Sequence, residues 1–284
     1  MKELTTPEIR KRLLDILVVF REFCQENNLN FYLCAGTLLG AVRHGGFIPW
    51  DDDIDVAMLR DDYDRLLDIA RDNPIIKDKY KIISYELGTS HYPFLKILDM
   101  ETQTIQSFSD EGHNNSLWID IFPFDDVSEN TELRKKQYRK VGILREILML
   151  NFAKFGEGKT LFKRIFKPLL IPFAKLVGVD KANREMIRLA TDSNWKGGSV
   201  VGDVVWGEYN KEIIKKDSFT NPTNVKFEGE TFLTMSTWKN YLITTYGDDY
   251  MELPPKSQRE NHELKVWLKN SFKECFPFTK FSKI

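Results

Sequence analysis

The stretch GFIPWDDDIDVAM, residues 46–58, places four aspartates within five positions and then continues as an apolar run. A solvated acidic loop would not need Ile54 and Val56 beside those charges. In a β-strand alternate residues face the same side, so Asp53 and Asp55 would project together while Ile54 and Val56 enter the core. The pattern therefore predicts a buried strand that begins with paired carboxylates.

Two carboxylates on one face repel each other, and each raises the pKa of the other unless a cation lies between them. Mg²⁺ is the predicted cation, with Mn²⁺ as its substitute, because Mg²⁺ prefers oxygen ligands and bridges carboxylates to substrate phosphates. A solvated acidic turn that binds nothing is the alternative. An EF-hand Ca²⁺ loop is disfavoured, because its sixth position is Val56 instead of Gly and its twelfth is Asp62 instead of Glu.

A third carboxylate, Asp120, lies inside the apolar run LWIDIFPFD, residues 117–125. An aspartate within a buried strand is costly unless it is paired or bound to a metal. If this strand is the neighbour of the one that carries Asp53 and Asp55, the three carboxylates form a cluster suited to one or two metal ions and to phosphoryl chemistry. Capping of the strand end, or pairing with a lysine, is the alternative for Asp120.

Upstream of the aspartates, the run CAGTLLGAVRHGG contains a Gly36–Thr37 turn that enters a short helix. Backbone N–H groups and a hydroxyl at such a helix start can hold a phosphate. An ordinary connection between a strand and a helix has the same appearance. The Asp-x-Asp pair that follows the turn favours phosphate binding over an ordinary connection.

Apolar periodicity predicts the remaining elements and a division into three parts. Residues 1–128 are a catalytic core, 129–194 a basic helical subdomain, and 195–284 a C-terminal segment that completes the site, with irregular structure from about Trp195. The predicted helices cover residues 6–27, 37–46 and 60–73 and much of 129–192. The predicted strands cover residues 29–36, 53–59, 80–87, 92–100 and 117–125.

Composition excludes several classes of protein. The formal net charge of −1 and the pI of about 6.5 argue against a nucleic-acid partner. Three cysteines in no metal-binding spacing argue against a disulfide framework and favour a reducing compartment. The N-terminal run lacks the apolar core of a signal peptide, so we expect a cytoplasmic protein.

Residues 134–188 carry 15 Lys and Arg against 4 Asp and Glu. Within this basic segment, cations alternate with bulky apolar residues, as in a helix that lies on anionic lipid. We therefore predict peripheral association with the inner face of a membrane through residues 134–188. A solvated helical subdomain is the alternative.

The motifs GTLLGAVRH, FIPWDDDID, WIDIFPFD and YGDDYMELPPKSQRENH together resemble the LicD-type phosphotransferases. This family includes bacterial phosphocholine transferases and is related to the fukutin-related proteins. The resemblance runs from about residue 20 to about residue 265 and is weakest in the basic segment. It implies an α+β, nucleotidyltransferase-type fold, a small mixed sheet flanked by helices, with a helical subdomain.

The resemblance also implies an activity. Members of the family transfer a phospho-alcohol, typically phosphocholine, from a CDP-linked donor to a sugar hydroxyl of a lipid-linked or cell-surface glycan, such as lipopolysaccharide or a teichoic-acid precursor, and release CMP. By this resemblance Asp53, Asp55 and Asp120 would be catalytic and would bind the metal, with Asp51 as a further ligand. The implied substrate-binding residues are Gly36, Thr37, Arg43, His44, Trp50, Lys96, Arg259 and His262.

A choline headgroup would need aromatic faces for cation–π contacts. Trp50 lies beside the aspartates in the sequence, and four further aromatic residues are available for the same role: Phe47, Tyr92, Trp118 and Phe122. Most aromatic residues in a chain that is 13% aromatic belong to the core, so the sequence specifies the reaction class better than it specifies the headgroup.

Two rival functions are compatible with an Asp-x-Asp pair. A metal-dependent glycosyltransferase would use the pair to hold a nucleotide-sugar, but it needs a nucleotide-binding half before the pair, and only 52 residues precede Asp53. A non-catalytic scaffold would keep the fold without the chemistry. The presence of all three aspartates and of the Gly-Thr turn disfavours the scaffold.

Overall fold

The structure, a computed structural model, describes residues 2–105, 115–153, 161–209, 211–259 and 264–269. Its helices are α1 (Thr6–Glu26), α2 (Ala35–His44), α3 (Arg60–Asp72), α4 (Thr131–Phe152), α5 (Leu161–Val177), α6 (Val179–Ala190) and α7 (Trp238–Tyr246). Its strands are β1 (Lys2–Glu3), β2 (Tyr32–Leu33), β3 (Asp55–Leu59), β4 (Ile75–Ile76), β5 (Tyr80–Ile83), β6 (Leu95–Asp99), β7 (Thr102–Ile105), β8 (Leu117–Asp126), β9 (Val200–Asp203), β10 (Ile214–Lys215), β11 (Thr223–Phe227), β12 (Glu230–Thr234) and β13 (Lys265–Leu268).

The central feature is a mixed sheet of eight strands built around the long strand β8. One path through the sheet runs in the order β10-β9-β8-β6-β5-β4, and β3 joins β8 in parallel while β2 pairs with β3. The other ladders of this sheet are antiparallel. The expected mixed sheet flanked by helices is therefore present.

Helix α1 packs on this sheet because its apolar residues repeat with helical spacing. The Glu8 carboxylate accepts a hydrogen bond from the backbone N–H of Thr5 at 2.8 Å, which satisfies one free donor at the start of the helix. The buried face then consists of Ile9, Leu13, Ile16, Leu17, Phe20 and Cys24. The predicted helix over residues 6–27 is confirmed almost to the residue.

The basic segment forms its own helical layer with a second apolar cluster. Tyr138, Val141 and Leu148 of α4 pack with Ala182 and Met186 of α6. The same cluster includes Val204 and Val205, which follow β9. The helices of the segment are confirmed, whereas the domain boundaries at residues 128 and 194 stay a prediction.

The expectation of irregular structure from Trp195 onward is wrong. Strand β9 pairs with β8, β11 and β12 form a hairpin, and β13 pairs with both β1 and β7. Helix α7 follows the hairpin. These elements are short, and several find their pairing partners far away in the chain, so local apolar periodicity did not reveal them.

Two other predicted boundaries move. The strand predicted over residues 29–36 shrinks to Tyr32–Leu33, because helix α2 already begins at Ala35. The run over residues 80–87 is a strand only as far as Ile83.

The cysteines Cys24 and Cys34 are buried free thiols, while Cys275 lies outside the described residues. In the part of the chain that the structure describes, no helix combines the length and apolar character needed to cross a bilayer.

Candidate active site

The parallel pairing of β3 with β8 brings two of the predicted carboxylates side by side. Asp55, the first residue of β3, is directly opposite Asp120 of β8. The backbone N–H of Asp120 donates to the carbonyl of Ile54 at 2.9 Å, which fixes this register at the end of the strand. Because alternate strand residues share a face, Ile54 and Val56 are fully buried on the side away from the carboxylates.

Asp53 reaches the same place by another route. The predicted strand from residue 53 begins only at Asp55, so Asp53 belongs to the preceding loop. Arg10 of α1 holds this loop, since its guanidinium donates to the carbonyls of Ile48, Pro49 and Asp51 at 2.8–2.9 Å. Those carbonyls are thereby engaged by a side chain instead of by a neighbouring strand. Arg10 escaped sequence reasoning because nothing in helix α1 links it to the loop.

A cavity of about 320 Å³ opens where the carboxylates meet. Asp53, Asp55 and Asp120 all line it. The other residues of its wall are Cys34, Ala35, Phe122, Phe124, Asp203, Trp206, Gly207 and Glu212. We call this cavity the acidic cavity. The sequence thus predicted three of its five carboxylates.

Asp203 and Glu212 are the carboxylates that sequence reasoning missed. Asp203 ends β9 and is 4% exposed, and its carboxylate accepts a hydrogen bond from the backbone N–H of Trp206 at 2.8 Å. The run SVVGDVVWG offered the same indication as the run around Asp120, namely an aspartate within apolar strand residues. For Glu212 the sequence gave no comparable pattern.

Gly207 lets the carboxylate of Glu212 approach the chain closely. A Cβ atom at position 207 would lie 2.0 Å from Glu212 Oε2 and 2.5 Å from the carbonyl oxygen of Asp203. Glu212 Oε2 itself is buried without a hydrogen-bond partner. Its Oε1 accepts a hydrogen bond from the Tyr241 hydroxyl at 3.4 Å. An uncompensated carboxylate oxygen therefore lies at the cavity wall.

The acidic cavity disfavours negative charge in the absence of a cation. Burial, followed by the charges of Asp120, Asp51 and Glu212, raises the pKa of Asp55 well above its ordinary value. Burial and then the charge of Glu212 likewise raise the pKa of Asp203. Burial raises the pKa of Glu212 to about 7. Repulsion among these carboxylates is the condition that a bound cation relieves.

Lys96 pairs with Asp120 across the β6–β8 ladder. These residues are register partners, and Lys96 Nζ lies 3.2 Å from Asp120 Oδ1, an ion pair without hydrogen-bond geometry. Trp118 Nε1 donates to the other carboxylate oxygen at 3.1 Å. The Lys96 ammonium lies over three rings, 4.3 Å from the centroid of Tyr92, 4.5 Å from Trp118 and 5.4 Å from Phe94. Only 7% of Lys96 is exposed, so it is not a surface charge.

The Gly36–Thr37 turn contacts two of the aspartates, Asp51 and Asp55. Thr37 is buried, and its Oγ1 accepts a hydrogen bond from the backbone N–H of Asp55 at 2.8 Å. A Cβ atom at Gly36 would lie 3.1 Å from Asp51 Oδ2, which is tighter than an ordinary contact. The turn therefore positions Asp51 and Asp55. Phosphate binding by Gly36 and Thr37 stays a prediction.

Ala35, which lines the acidic cavity, has a φ of +44°. This left-handed conformation is unusual for a residue with a Cβ atom and costs about 1–2 kcal/mol. The Tyr241 hydroxyl accepts a hydrogen bond from the backbone N–H of Ala35 at 3.0 Å. Helix α7 thus helps to hold the strained residue in place. Strain of this kind is frequent at functional sites.

The remaining predicted residues form a neighbouring cluster around Trp50. The guanidinium carbon of Arg259 lies 4.6 Å from the Trp50 ring centroid, and that of Arg43 lies 5.9 Å away. His44 packs against the same ring with its centroid 6.3 Å away. None of these four is among the residues that line the acidic cavity. His262 lies outside the described residues.

Arg43 also ties this cluster to the C-terminal motif. It donates to the carbonyls of Tyr250 and Glu252 at 2.9 Å and 3.0 Å. Arg259 donates to the carbonyl of Pro254 at 2.9 Å. The motif YGDDYMELPPKSQR therefore lies against the segment that precedes the aspartates. Arg43 thus holds the backbone of Tyr250 and Glu252 beside Trp50. The substrate-binding role of Arg259 stays a prediction.

A separate cavity of about 290 Å³ lies at the other end of β3 and β8. Its wall includes Arg60 and Asp125, which form a buried ion pair with an N–O distance of 2.6 Å. None of the predicted site residues lines this cavity. The charges of its central pair are already compensated, so the acidic cavity remains the candidate active site.

Comparison with known proteins identifies the domain that contains the predicted aspartates. The model of the LicD/FKTN/FKRP nucleotidyltransferase domain matches residues 28–148, from the loop before β2 into α4. The chain carries a LicD-family domain. Asp53, Asp55 and Asp120 lie within the LicD domain, whereas Asp203, Glu212 and Arg259 lie beyond its matched range.

The similarity extends past the LicD domain in one relative. The lipopolysaccharide cholinephosphotransferase LicD of Haemophilus influenzae is 29% identical over 273 residues, which make up 93% of this chain and 98% of that protein. An uncharacterised protein of Rickettsia prowazekii is 40% identical over 65 residues, 23% of each chain. One of Rickettsia typhi is 49% identical over 41 residues, 14% of this chain and 13% of its own. The LicD resemblance found in the sequence is thereby confirmed.

Proposed function

We propose that this protein transfers phosphocholine from a CDP-linked donor to a sugar hydroxyl of a cell-surface glycan or its lipid-linked precursor, with release of CMP. The observation that carries the proposal is the near full-length similarity to the Haemophilus lipopolysaccharide cholinephosphotransferase. The meeting of Asp53, Asp55 and Asp120 at one cavity supports it, because converging carboxylates can hold the divalent cation that neutralises negative charge on the reacting phosphates.

The acidic cavity fits Mg²⁺ or Mn²⁺ by the chemistry of its donors. Hard divalent cations take carboxylate oxygens, and the half-buried carboxylates of Asp55 and Asp120 repel each other without one. Among the described residues, no three His, Cys, Asp or Glu side chains enclose an ion-sized site as they stand. Asp53, Asp55 and Asp120 would hold the ion, with Asp51 as a further candidate. A bound cation would neutralise the donor diphosphate.

The residues of the chain supply positioning, charge and proton transfer. The acceptor oxygen attacks the phosphorus that carries choline, the bond from that phosphorus to the bridging oxygen breaks, and its electrons leave with CMP. Asp120 would accept the proton of the attacking hydroxyl, since Lys96 and Trp118 hold its carboxylate in place. Lys96 would also face phosphate oxygens as a buried cation.

The choline headgroup requires an apolar or aromatic wall beside the cavity. Phe122, Phe124 and Trp206 line the cavity itself. Tyr92 and Trp118, which the sequence offered as headgroup contacts, surround the Lys96 ammonium instead. Trp50 faces Arg43 and Arg259. We therefore propose Phe122 and Trp206 as the faces that recognise the quaternary ammonium.

The decisive assay follows CMP release from a panel of CDP-alcohols. Purified protein is incubated with Mg²⁺ and CDP-choline, CDP-ethanolamine, CDP-glycerol or CDP-ribitol, with and without extracted lipopolysaccharide or teichoic-acid precursor. We expect acceptor-dependent CMP release that is fastest with CDP-choline. Turnover of a UDP-sugar or GDP-sugar would indicate a glycosyltransferase, and no turnover of any donor would indicate a scaffold.

A further inference from the structure

Helix α5 exposes an apolar face that no described part of the chain covers. The exposed fractions are 70% for Leu169, 52% for Leu170, 61% for Phe173 and 84% for Leu176. At about 100° per residue these four side chains span about 120° of the helix surface. Such large apolar side chains are rarely left together in water without a partner.

The opposite side of α5 anchors the helix to the protein. Ile171 and Ala174 are buried, at 2% and 0% exposure. The Asn151 side chain of α4 donates to the backbone carbonyl of Ala174 at 3.1 Å. The orientation of the exposed face is therefore set by packing against α4.

The segment that contains α5 carries a large excess of positive charge, and Lys175 of α5 itself is exposed. The sequence of α5 contains four cations, Lys163, Arg164, Lys167 and Lys175, and no acidic residue. Helix α4 adds the exposed residues Lys135, Lys136, Arg139 and Lys140. An apolar face within a basic segment is complementary to an anionic lipid surface, where acyl chains accept the apolar side chains and headgroups attract the cations.

We propose that α5 lies in the interface of an anionic phospholipid membrane, with Leu169, Leu170, Phe173 and Leu176 inserted among the acyl chains. The helix has 17 residues and four cations, so it lies on the bilayer and does not cross it. A second copy of this chain is a poorer occupant, because a symmetric contact would bring two basic segments together. The inference is independent of the transferase activity.

Vesicle co-sedimentation of the full chain tests the proposal. One set of vesicles contains phosphatidylcholine alone, and the other contains phosphatidylcholine with phosphatidylglycerol. We expect binding to the anionic vesicles that weakens in high salt, because surface charges are then screened. The triple substitution Leu169→Ser, Phe173→Ser and Leu176→Ser should weaken this binding by at least about tenfold, since it removes most of the inserted apolar surface.

Two further variants separate the contributions. Lys175→Glu should weaken binding to anionic vesicles and leave the folded state unchanged by circular dichroism, because Lys175 is exposed. Leu253→Ser is the matched control, since Leu253 is 53% exposed but lies outside α5. It should bind vesicles as the wild type does.

Several outcomes would overturn the proposal. Equal vesicle binding by the wild type and the triple variant would show that α5 is not the contact. A wild type that binds neither vesicle type would show that the chain does not associate with phospholipid. A concentration-dependent dimer in light scattering that the triple variant abolishes would show that the exposed face of α5 binds a second copy of the chain. The CMP-release assay with a water-soluble acceptor is independent of these results, so loss of membrane binding and loss of activity are distinguishable.

Discussion

Thr37 Oγ1 accepts a hydrogen bond from the backbone N–H of Asp55 at 2.8 Å. The contact joins the first turn of α2 to the first residue of β3, and Asp55 in turn lies opposite Asp120 on β8. A hydroxyl in the Gly-Thr turn is thus coupled through one backbone group to both of the paired strand carboxylates. Positioning of Asp55 accounts for a threonine at this place without any bound ligand.

The first prediction concerns Thr37. The substitution Thr37→Val keeps the shape but removes the acceptor, so the N–H of Asp55 loses its partner. We expect the free energy of unfolding to fall by about 1–3 kcal/mol and transfer activity to fall with it. Thr37→Ser keeps the hydroxyl and is the matched control. Urea unfolding and CMP release measure the two effects; equal behaviour of the Val and Ser variants would contradict the positioning role.

The second prediction concerns the paired aspartates. Asp55→Asn and Asp120→Asn should each reduce CMP release by at least about 100-fold, because each removes a carboxylate that would hold the cation at the reacting phosphates. Asp52→Asn is the matched control, since Asp52 belongs to the same acidic run but does not line the acidic cavity. An unchanged rate in the Asp55 or Asp120 variant would refute the site assignment.

The Asp55→Asn variant should also be more stable than the wild type, although it is less active. Burial and neighbouring negative charge raise the pKa of Asp55, so its ionised form disfavours the fold when no cation is bound. Asp55→Asn should therefore raise the melting temperature in EDTA. Mg²⁺ should raise the melting temperature of the wild type and change that of the variant little. A thermal-shift titration checks both expectations, and a wild type that ignores Mg²⁺ and Mn²⁺ would remove the metal from the proposal.

Part of this site was predictable from the sequence because some of its residues stand out from their immediate neighbours. Asp55 and Asp120 are charges inside apolar runs, and such charges need a reason to be there. Asp203 is likewise a charge inside an apolar run, but the sequence predicts irregular structure around it, because β9 has only four residues and its partner β8 is distant in the chain. Glu212 does not lie inside an apolar run, so its sequence context does not distinguish it from a surface glutamate. Only the tertiary contact with Gly207 and Tyr241 shows that it faces the cavity.

The fold shows the same division between local and distant information. Helices α1 and α3 were predicted almost to the residue, since periodicity and caps lie within each segment. Whether a given cation is buried or exposed was harder to predict from the sequence. Lys96, a single cation within an apolar run of the sequence, is buried because three aromatic rings and Asp120 surround it. Such compensation depends on residues that converge only in the folded chain.

The third prediction concerns the coupling of Lys96 with Asp120. Lys96→Met leaves the Asp120 carboxylate without its cation, and removal of one partner from a buried ion pair costs roughly 3–5 kcal/mol. Adding Asp120→Asn to that variant should restore part of the lost stability, because no uncompensated charge is then left. A double-mutant cycle by urea unfolding in EDTA measures the coupling. Strictly additive effects would show that the two residues do not interact.

The fourth prediction concerns Arg43. Its guanidinium donates to the carbonyls of Tyr250 and Glu252 and lies over Trp50. Arg43→Ala should release residues 250–259 from this contact and raise their hydrogen-exchange rates and protease sensitivity. Arg43→Lys should be intermediate, because a single ammonium does not reproduce the planar fork of donors. Unchanged exchange in residues 250–259 would show that the motif is held by other contacts.

The fifth prediction concerns the pH dependence of stability. Burial raises the pKa of Glu212 from 4.5 to about 7, against opposing hydrogen bonds from the backbone of Glu208 and from Tyr241. Below pH 4.5 the side chain is protonated in both folded and unfolded states. As the pH rises from 4.5 to about 7, the unfolded state ionises first, so the folded state loses stability progressively. Above about 7 the loss is complete and constant.

Glu212→Gln removes this titration and should flatten the curve. The melting temperature of the variant relative to the wild type should therefore increase from pH 4.5 to about 7 in EDTA and then level off. Glu146→Gln is the matched control, because Glu146 is exposed on α4 and its substitution should not alter the shape of the curve. A gain that is the same at pH 4.5 and pH 7 would mean that Glu212 is ionised normally, and that the cavity wall is better solvated than its burial indicates.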